Sequence, residues 1–309
     1  MAANKEIDVM TRRNTPRLSF IGFGEAGQAM AAGLREEGIE QIAAWDILFP
    51  APEGEKLRQA GDKIGVRLAS SAADAVRATD VIISAVTAAS SLQAAQSVAP
   101  HLSNNPFYLD VNSVSPGRKQ ATAKLLGDRA RYVDVAILSP IYPARHRSPM
   151  LLAGPHVEAA GPILQALAMK TEVAGPETGA AAAIKMVRGV MIKGIEALTF
   201  ECFVAAERAG IVKEVAVSLK NNYPTLDWNR MIAYNLERMA SHGERRAAEM
   251  EEVAETLREL GVDPQMVEAT VKRQREMGAI GRAPAVRGTL KAGPEEILDA
   301  VSAATKGRR

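Results

Sequence analysis

Gly22, Phe23, Gly24, Glu25, Ala26 and Gly27 form a G-x-G-x-x-G run between the apolar segment Leu18–Ile21 and an Ala-rich segment that follows. In such a run Gly22 permits a tight turn, Gly24 lets backbone approach a pyrophosphate, and Gly27 lets a helix pack closely on a strand. N–H groups at the helix start then bind the phosphates of a dinucleotide. A second apolar run, residues 41–45, ends at Asp46. A carboxylate about 20 residues past the glycines hydrogen-bonds an adenosine ribose and repels a 2′-phosphate, which predicts NAD over NADP; the plainer alternative is that Asp46 caps a turn. Lys185 stands in the apolar, Ala-rich run 179–187. Desolvation there would lower the pKa of its amine toward the range useful for proton transfer, whereas composition alone also fits a lysine that snorkels to the surface or pairs with an acid.

These residues need elements to hold them. Strands are expected at 18–21, 41–45, 66–69, 80–86, 107–111, 132–137, 150–153 and 170–173. Between them lie short helices at 53–60, stopped by Gly61, at 71–78 and at 90–99, and one capped by Ser115 with Pro116 in its first turn. That alternation predicts an α/β, doubly wound parallel sheet over residues 17–175, after a disordered leader over 1–16. Ala85, Val86 and Thr87, where the strand over 80–86 ends, complete the expected cofactor-binding set.

The texture changes at Gly175 and Pro176, so residues 176–309 are expected to form an all-α domain. Residues 178–209 contain no proline and are apolar on nearly every side, which predicts a buried spine of about 45 Å. A helix over 244–260 places Ala247, Met250, Val253, Ala254 and Leu257 on one stripe and ends at Gly261. Pro264 and Pro294 start two more helices. Such apolar surface is more than about 130 residues readily bury alone, which predicts a homodimer.

Composition excludes several classes of function. The 309 residues carry 38 basic and 36 acidic side chains, net +2, and offer no field suited to nucleic acid or an anionic membrane. No apolar run reaches membrane-spanning length, and the polar first 16 residues carry no secretory signal, so a cytoplasmic protein is expected. The single cysteine, Cys202, lies in an apolar stretch with nothing near it to lower its pKa, so neither an internal disulfide nor a thiolate nucleophile is expected. No residue spacing points to a metal site. The expected partners are a small-molecule substrate and a second copy of the chain.

Two further stretches carry a resemblance. Asp110-Val111-Asn112-Ser113-Val114-Ser115-Pro116 is similar to the substrate-loop motif D-x-S-T-x-x-P of the β-hydroxyacid dehydrogenase superfamily, which includes 3-hydroxyisobutyrate and 6-phosphogluconate dehydrogenases. Residues 179–187 resemble its catalytic-helix motif, whose lysine, here Lys185, acts on the substrate hydroxyl. The resemblance covers most of residues 1–200. It implies a Rossmann fold with an all-α C-terminal domain, a nicotinamide cofactor and a dimer built on the helical domain.

Two departures accompany it. The family's asparagine after the lysine is replaced by Arg188 and Gly189, and its glycine pair by Ser139 and Pro140, which has no N–H to offer. Substrate contacts are therefore expected from Asn112, Ser113, Ser139, Arg188 and His242. Arg145, His146 and Arg147, or Arg245 and Arg246 beside His242, are readable either as further donors or as surface residues. Trp228 and Tyr223 are expected to pack the domain interface. The departures point to a branch of the superfamily with a C-terminal domain of unknown function. The expected activity is hydride transfer between the nicotinamide and a hydroxyl-bearing carbon of a small hydroxy acid or related alcohol, with Lys185 moving the proton. An imine reductase and a non-catalytic dinucleotide sensor are the alternatives.

Overall fold

The computed structural model describes residues 15–306, so the expected leader lies outside the described residues except for Thr15 and Pro16. The described residues divide into two compact units at Lys185 and Met186.

The first unit is built on an eight-stranded sheet in the order β3-β2-β1-β4-β5-β6-β7-β8. Its strands are β1 (Leu18–Ile21), β2 (Ile42–Trp45), β3 (Arg67–Leu68), β4 (Val81–Ser84), β5 (Phe107–Asp110), β6 (Arg131–Ile137), β7 (Met150–Ala153) and β8 (Thr171–Gly175). Its helices are α1 (Glu25–Glu36), α2 (Glu55–Ile64), α3 (Ala72–Ala75), α4 (Ser91–Val98), α5 (Pro116–Leu126) and α6 (Val157–Ala166). Val81, Ile83, Phe107 and Leu109 pack in one core and Ile82 and Tyr108 in another, one on each face of the sheet. Both faces are buried, which is why the central strands are apolar throughout instead of alternating with polar residues.

The sheet departs from the all-parallel expectation at one pair, because β7 runs antiparallel to β6. Between them the chain forms only a 3₁₀ turn at Arg145–Arg147. A parallel return needs a crossover, usually helical, and without one the chain folds straight back. A second departure concerns α2, which continues through Gly61 and ends at Gly65, where φ is 78°. Gly61 is a packing glycine: a Cβ on it would sit 2.4 Å from Leu68 Cδ2.

The domain boundary falls ten residues past the expected 175. The first turns of α7 (Ala180–Ala209) belong to the sheet, with Ala181 packed among Ala136, Leu151 and Ala153.

The second unit contains the rest of α7 with α8 (Val212–Asn222), α9 (Trp228–Glu259), α10 (Gln265–Ile280), α11 (Pro284–Thr289) and α12 (Pro294–Thr305). α9 starts at Trp228, well before residue 244, where Asp227 Oδ1 accepts from the Arg230 N–H at 3.1 Å. α9 and α10 approach so closely that a Cβ on Gly243 would lie 2.2 Å from the Gln274 carbonyl oxygen and 2.5 Å from the Gly278 nitrogen. Trp228 packs with Phe203 and Tyr223 inside this unit. Arg246 is not a surface residue either, being buried in a two-pronged pair with Glu196. α7 differs from the expected buried spine, since Ile184, Val187, Met191, Ile192 and Leu198 are exposed along it. Among the described residues no helix is long and apolar enough to cross a membrane.

Candidate active site

The glycine run follows β1 at the end of the sheet where the parallel strands β1, β4, β5 and β6 all finish. Gly22 has φ 91°, and a Cβ on it would lie 2.4 Å from the Ala85 carbonyl oxygen. A Cβ on Gly27 would lie 2.6 Å from the Gly22 carbonyl oxygen. Gly24 faces open space instead, and a Cβ on it would meet nothing within 4 Å. It is the N-cap of α1, and no side chain caps that helix. The N–H groups of Glu25, Ala26 and Gly27 have no partner within the helix, and the positive end of its dipole lies with them. This cradle fits a pyrophosphate. The Glu25 side chain is exposed, while that of Phe23 is buried between Phe20 and Phe49.

Asp46 braces the cradle. Its Oδ2 accepts from the Phe23 N–H at 2.7 Å and its Oδ1 from the Leu48 N–H at 3.0 Å. It therefore caps a turn, as in the plainer alternative, and also ties β2 to the glycine loop. A carboxylate has about four lone-pair sites, so about two remain beyond these bonds. On the far side the Val86 side chain lies against Gly22, and the Val86 N–H donates to Asn112 Oδ1 at 2.7 Å. Thr87 donates to Ser90 Oγ at 3.1 Å.

Asn112, an expected substrate contact, has its carboxamide buried and committed elsewhere. Besides the Val86 bond, Nδ2 donates to Ser84 Oγ at 3.0 Å and to Asp110 Oδ1 at 2.8 Å. It builds the loop and leaves Ser113 as the residue the loop presents. Lys185 Nζ donates to Ser113 Oγ at 2.5 Å, so two residues far apart in sequence meet here. Lys185 is half-buried, neither in the core nor fully in solvent.

The other expected contacts are more scattered. Ser139 is exposed just past β6, its hydroxyl near the Pro140 carbonyl at 3.2 Å. Arg145 and Arg147 pair with Glu36 and Glu37 at the C-terminal end of α1, the opposite end from the glycine cradle, and so are not substrate donors. Buried His146 packs against Gly33 of the same helix. Arg188, exposed, and His242, half-buried in the middle of α9 and not at a helix start, belong to the second unit.

Sequence reasoning missed three buried charges. Asp110 and Asp134 are register partners on β5 and β6, and Lys119 of α5 reaches both. Acids inside two apolar strands were the available signal, because carboxylates buried in a sheet demand a cation. Tyr132 donates to Asp110 Oδ2 at 2.9 Å, and burial together with the two carboxylates pushes its hydroxyl well above its ordinary pKa, so it stays a donor. Cys202 is exposed on α7, and partial desolvation raises its thiol above the ordinary value.

Comparison with known proteins bears on the family and the fold. Residues 17–175 match the family model described as the NAD binding domain of 6-phosphogluconate dehydrogenase, and residues 206–277 match a domain of unknown function, DUF1932. A conserved hypothetical protein from Sinorhizobium meliloti has a solved structure that is 33% identical, with a TM-score of 0.74 over 94% of this chain and 97% of that one. The 3-sulfolactaldehyde reductase of Escherichia coli is 27% identical over 65% of this chain and 68% of its own. The fold is also that of Mycobacterium tuberculosis 3-hydroxyisobutyrate dehydrogenase, at 17% identity and a TM-score of 0.70 over 95% of this chain and all of the other.

Proposed function

Since the chain belongs to the family defined by the NAD binding domain of 6-phosphogluconate dehydrogenase, we propose that it is an NAD-dependent dehydrogenase of a small hydroxy acid or related alcohol. The observation that carries this reading is the 2.5 Å contact of Lys185 Nζ with Ser113 Oγ, in the same compact unit as the pyrophosphate cradle. A bound nicotinamide supplies the hydride chemistry. The chain's own residues supply binding, orientation and proton transfer. Asp46 holds the ribose, and the backbone of Gly24 to Gly27 holds the phosphates. Ser113 orients the substrate hydroxyl toward Lys185. As hydride leaves the hydroxyl-bearing carbon, Lys185 Nζ takes the hydroxyl proton; in the reverse direction its ammonium returns a proton to the carbonyl oxygen. The 3-sulfolactaldehyde reductase similarity favours an acid-bearing substrate, and Arg188, three residues beyond Lys185 and exposed, is the residue we assign to its anionic group.

The apolar side chains exposed along α7 support a homodimer, since a symmetric partner would bury them. The reading is tested by following nicotinamide absorbance across hydroxy acids, polyols and aryl alcohols with NAD and NADP. On the substrate so found, Lys185→Met should keep the fold and NAD affinity and lower turnover by roughly 100-fold or more. Near-normal turnover in that variant would overturn the mechanism.

A further inference from the structure

Asp110 and Asp134 stand side by side on neighbouring strands, both wholly buried. Two such carboxylates repel one another and are costly to desolvate. Lys119, 1% exposed, answers both: its Nζ lies 3.2 Å from Asp110 Oδ1 and 3.3 Å from Asp134 Oδ1, and donates to the Asp110 carbonyl at 2.5 Å. Asp134 Oδ1 makes no hydrogen bond, so the Lys119 charge is what compensates it.

Charge pairing inside the sheet ends there, but each carboxylate also reaches outward to one half of the Ser113–Lys185 pair. Asp110 Oδ1 accepts from the Asn112 N–H at 3.0 Å and from Asn112 Nδ2 at 2.8 Å, which fixes the loop one residue before Ser113. Asp134 Oδ2 accepts from the Gly179 N–H at 3.2 Å and the Ala182 N–H at 3.1 Å. Those are orphan donors at the start of α7, so Asp134 caps, from another strand, the helix that carries Lys185 one turn later. The Ser113–Lys185 bond closes a ring that begins and ends at one ammonium.

We propose that Lys119 is a positioning residue, tying the loop of Ser113 and the helix of Lys185 to a common point so that the two side chains meet. The role rests on the dehydrogenase reading above, but its test need not. In the full-length protein, the rate at which an acylating reagent labels Lys185 at fixed pH can be read by peptide mass spectrometry. Ser113→Ala removes a charge-assisted hydrogen bond and should speed labelling by about tenfold, the equivalent of roughly 1.4 kcal/mol. Lys119→Met should speed it comparably, and the double variant should label no faster than the faster single one. If the two factors multiply, or if Lys119→Met leaves the rate unchanged, Lys119 serves the sheet alone and the proposal falls. Should Lys119→Met fail to fold, Lys119→Met with Asp110→Asn keeps the net charge of the cluster and takes the place of Lys119→Met in the cycle, with Asp110→Asn alone as the reference from which the Lys119 leg is read. No substrate enters this measurement. A chain that turned over no hydroxy acid would refute the dehydrogenase reading and leave the labelling cycle to decide the role of Lys119.

Discussion

Asparagine at position 46 separates the two jobs assigned to that carboxylate. Asp46 accepts from two backbone donors, the Phe23 N–H at 2.7 Å and the Leu48 N–H at 3.0 Å, one on each oxygen. Asparagine has one acceptor oxygen, so one of those N–H groups must face an NH₂. The loss is one hydrogen bond to a charged acceptor, about 1.5–3 kcal/mol. Partial exposure puts Asp46 at the low end, which is about tenfold in any equilibrium that needs the braced glycine loop. NAD also loses its ribose contacts to the carboxylate, so its Kd should rise by more than that, on the order of 30-fold or higher. NADP pays the same loop cost but escapes repulsion between its 2′-phosphate and a carboxylate, worth up to about 4 kcal/mol for unit charges 4 Å apart in a partly screened site. Titration calorimetry of both cofactors on wild type and Asp46→Asn should therefore show a marked NAD preference that largely disappears in the variant. If both affinities fall by the same factor, Asp46 is a brace that reads no ribose. If the wild type binds NADP more tightly, the assignment fails outright.

Asn112→Ala and Ser113→Ala should part company: the first strips a buried loop of its bonds to Val86, Ser84 and Asp110 and should cost about 2 kcal/mol or more in urea unfolding, whereas the second should leave stability nearly unchanged and act on turnover. Gly243→Ala drives a methyl into the backbone of α10 and should destabilise the helical unit by about 3 kcal/mol, visible as a lower thermal midpoint. Burial holds the His146 pKa below its ordinary value, opposed by Glu37 and Glu36 and reinforced by Arg145 and Arg147. The folded state thus resists a proton that the unfolded chain binds near pH 6.5, so this contribution to stability is present above about 6.5 and is lost as pH falls toward the lower folded value. The melting temperature of His146→Leu should fall less between pH 7.5 and 5.5 than that of the wild type, and parallel slopes would exclude the effect.

What could be read from the sequence was whatever depends on neighbours in the chain. β1, the glycine turn and α1 are consecutive, and each glycine in that run answers a local demand, so spacing alone located the cradle. The same habit misled where a glycine answers a distant demand. Gly61 reads as a helix stop, yet it lies inside α2 because Leu68 leaves no room for a Cβ; Gly243 lies inside α9, ahead of the expected start at 244, because the α10 backbone leaves none there. The buried positions Ile232, Leu236, Met239 and Ala240 carry a helical period that extends α9 back to Trp228, ahead of the expected start at 244. Asp110 and Asp134 show the same limit at the site itself. Asp110 looks like an acid at the end of an apolar strand and Asp134 like one in the middle of another, and nothing local says that strand register sets them side by side or that a lysine from the intervening helix turns inward between them. Lys185 was found because a motif surrounds it. The groups that hold it against Ser113 were not, because what joins them is sheet register, and that is a property of the folded chain.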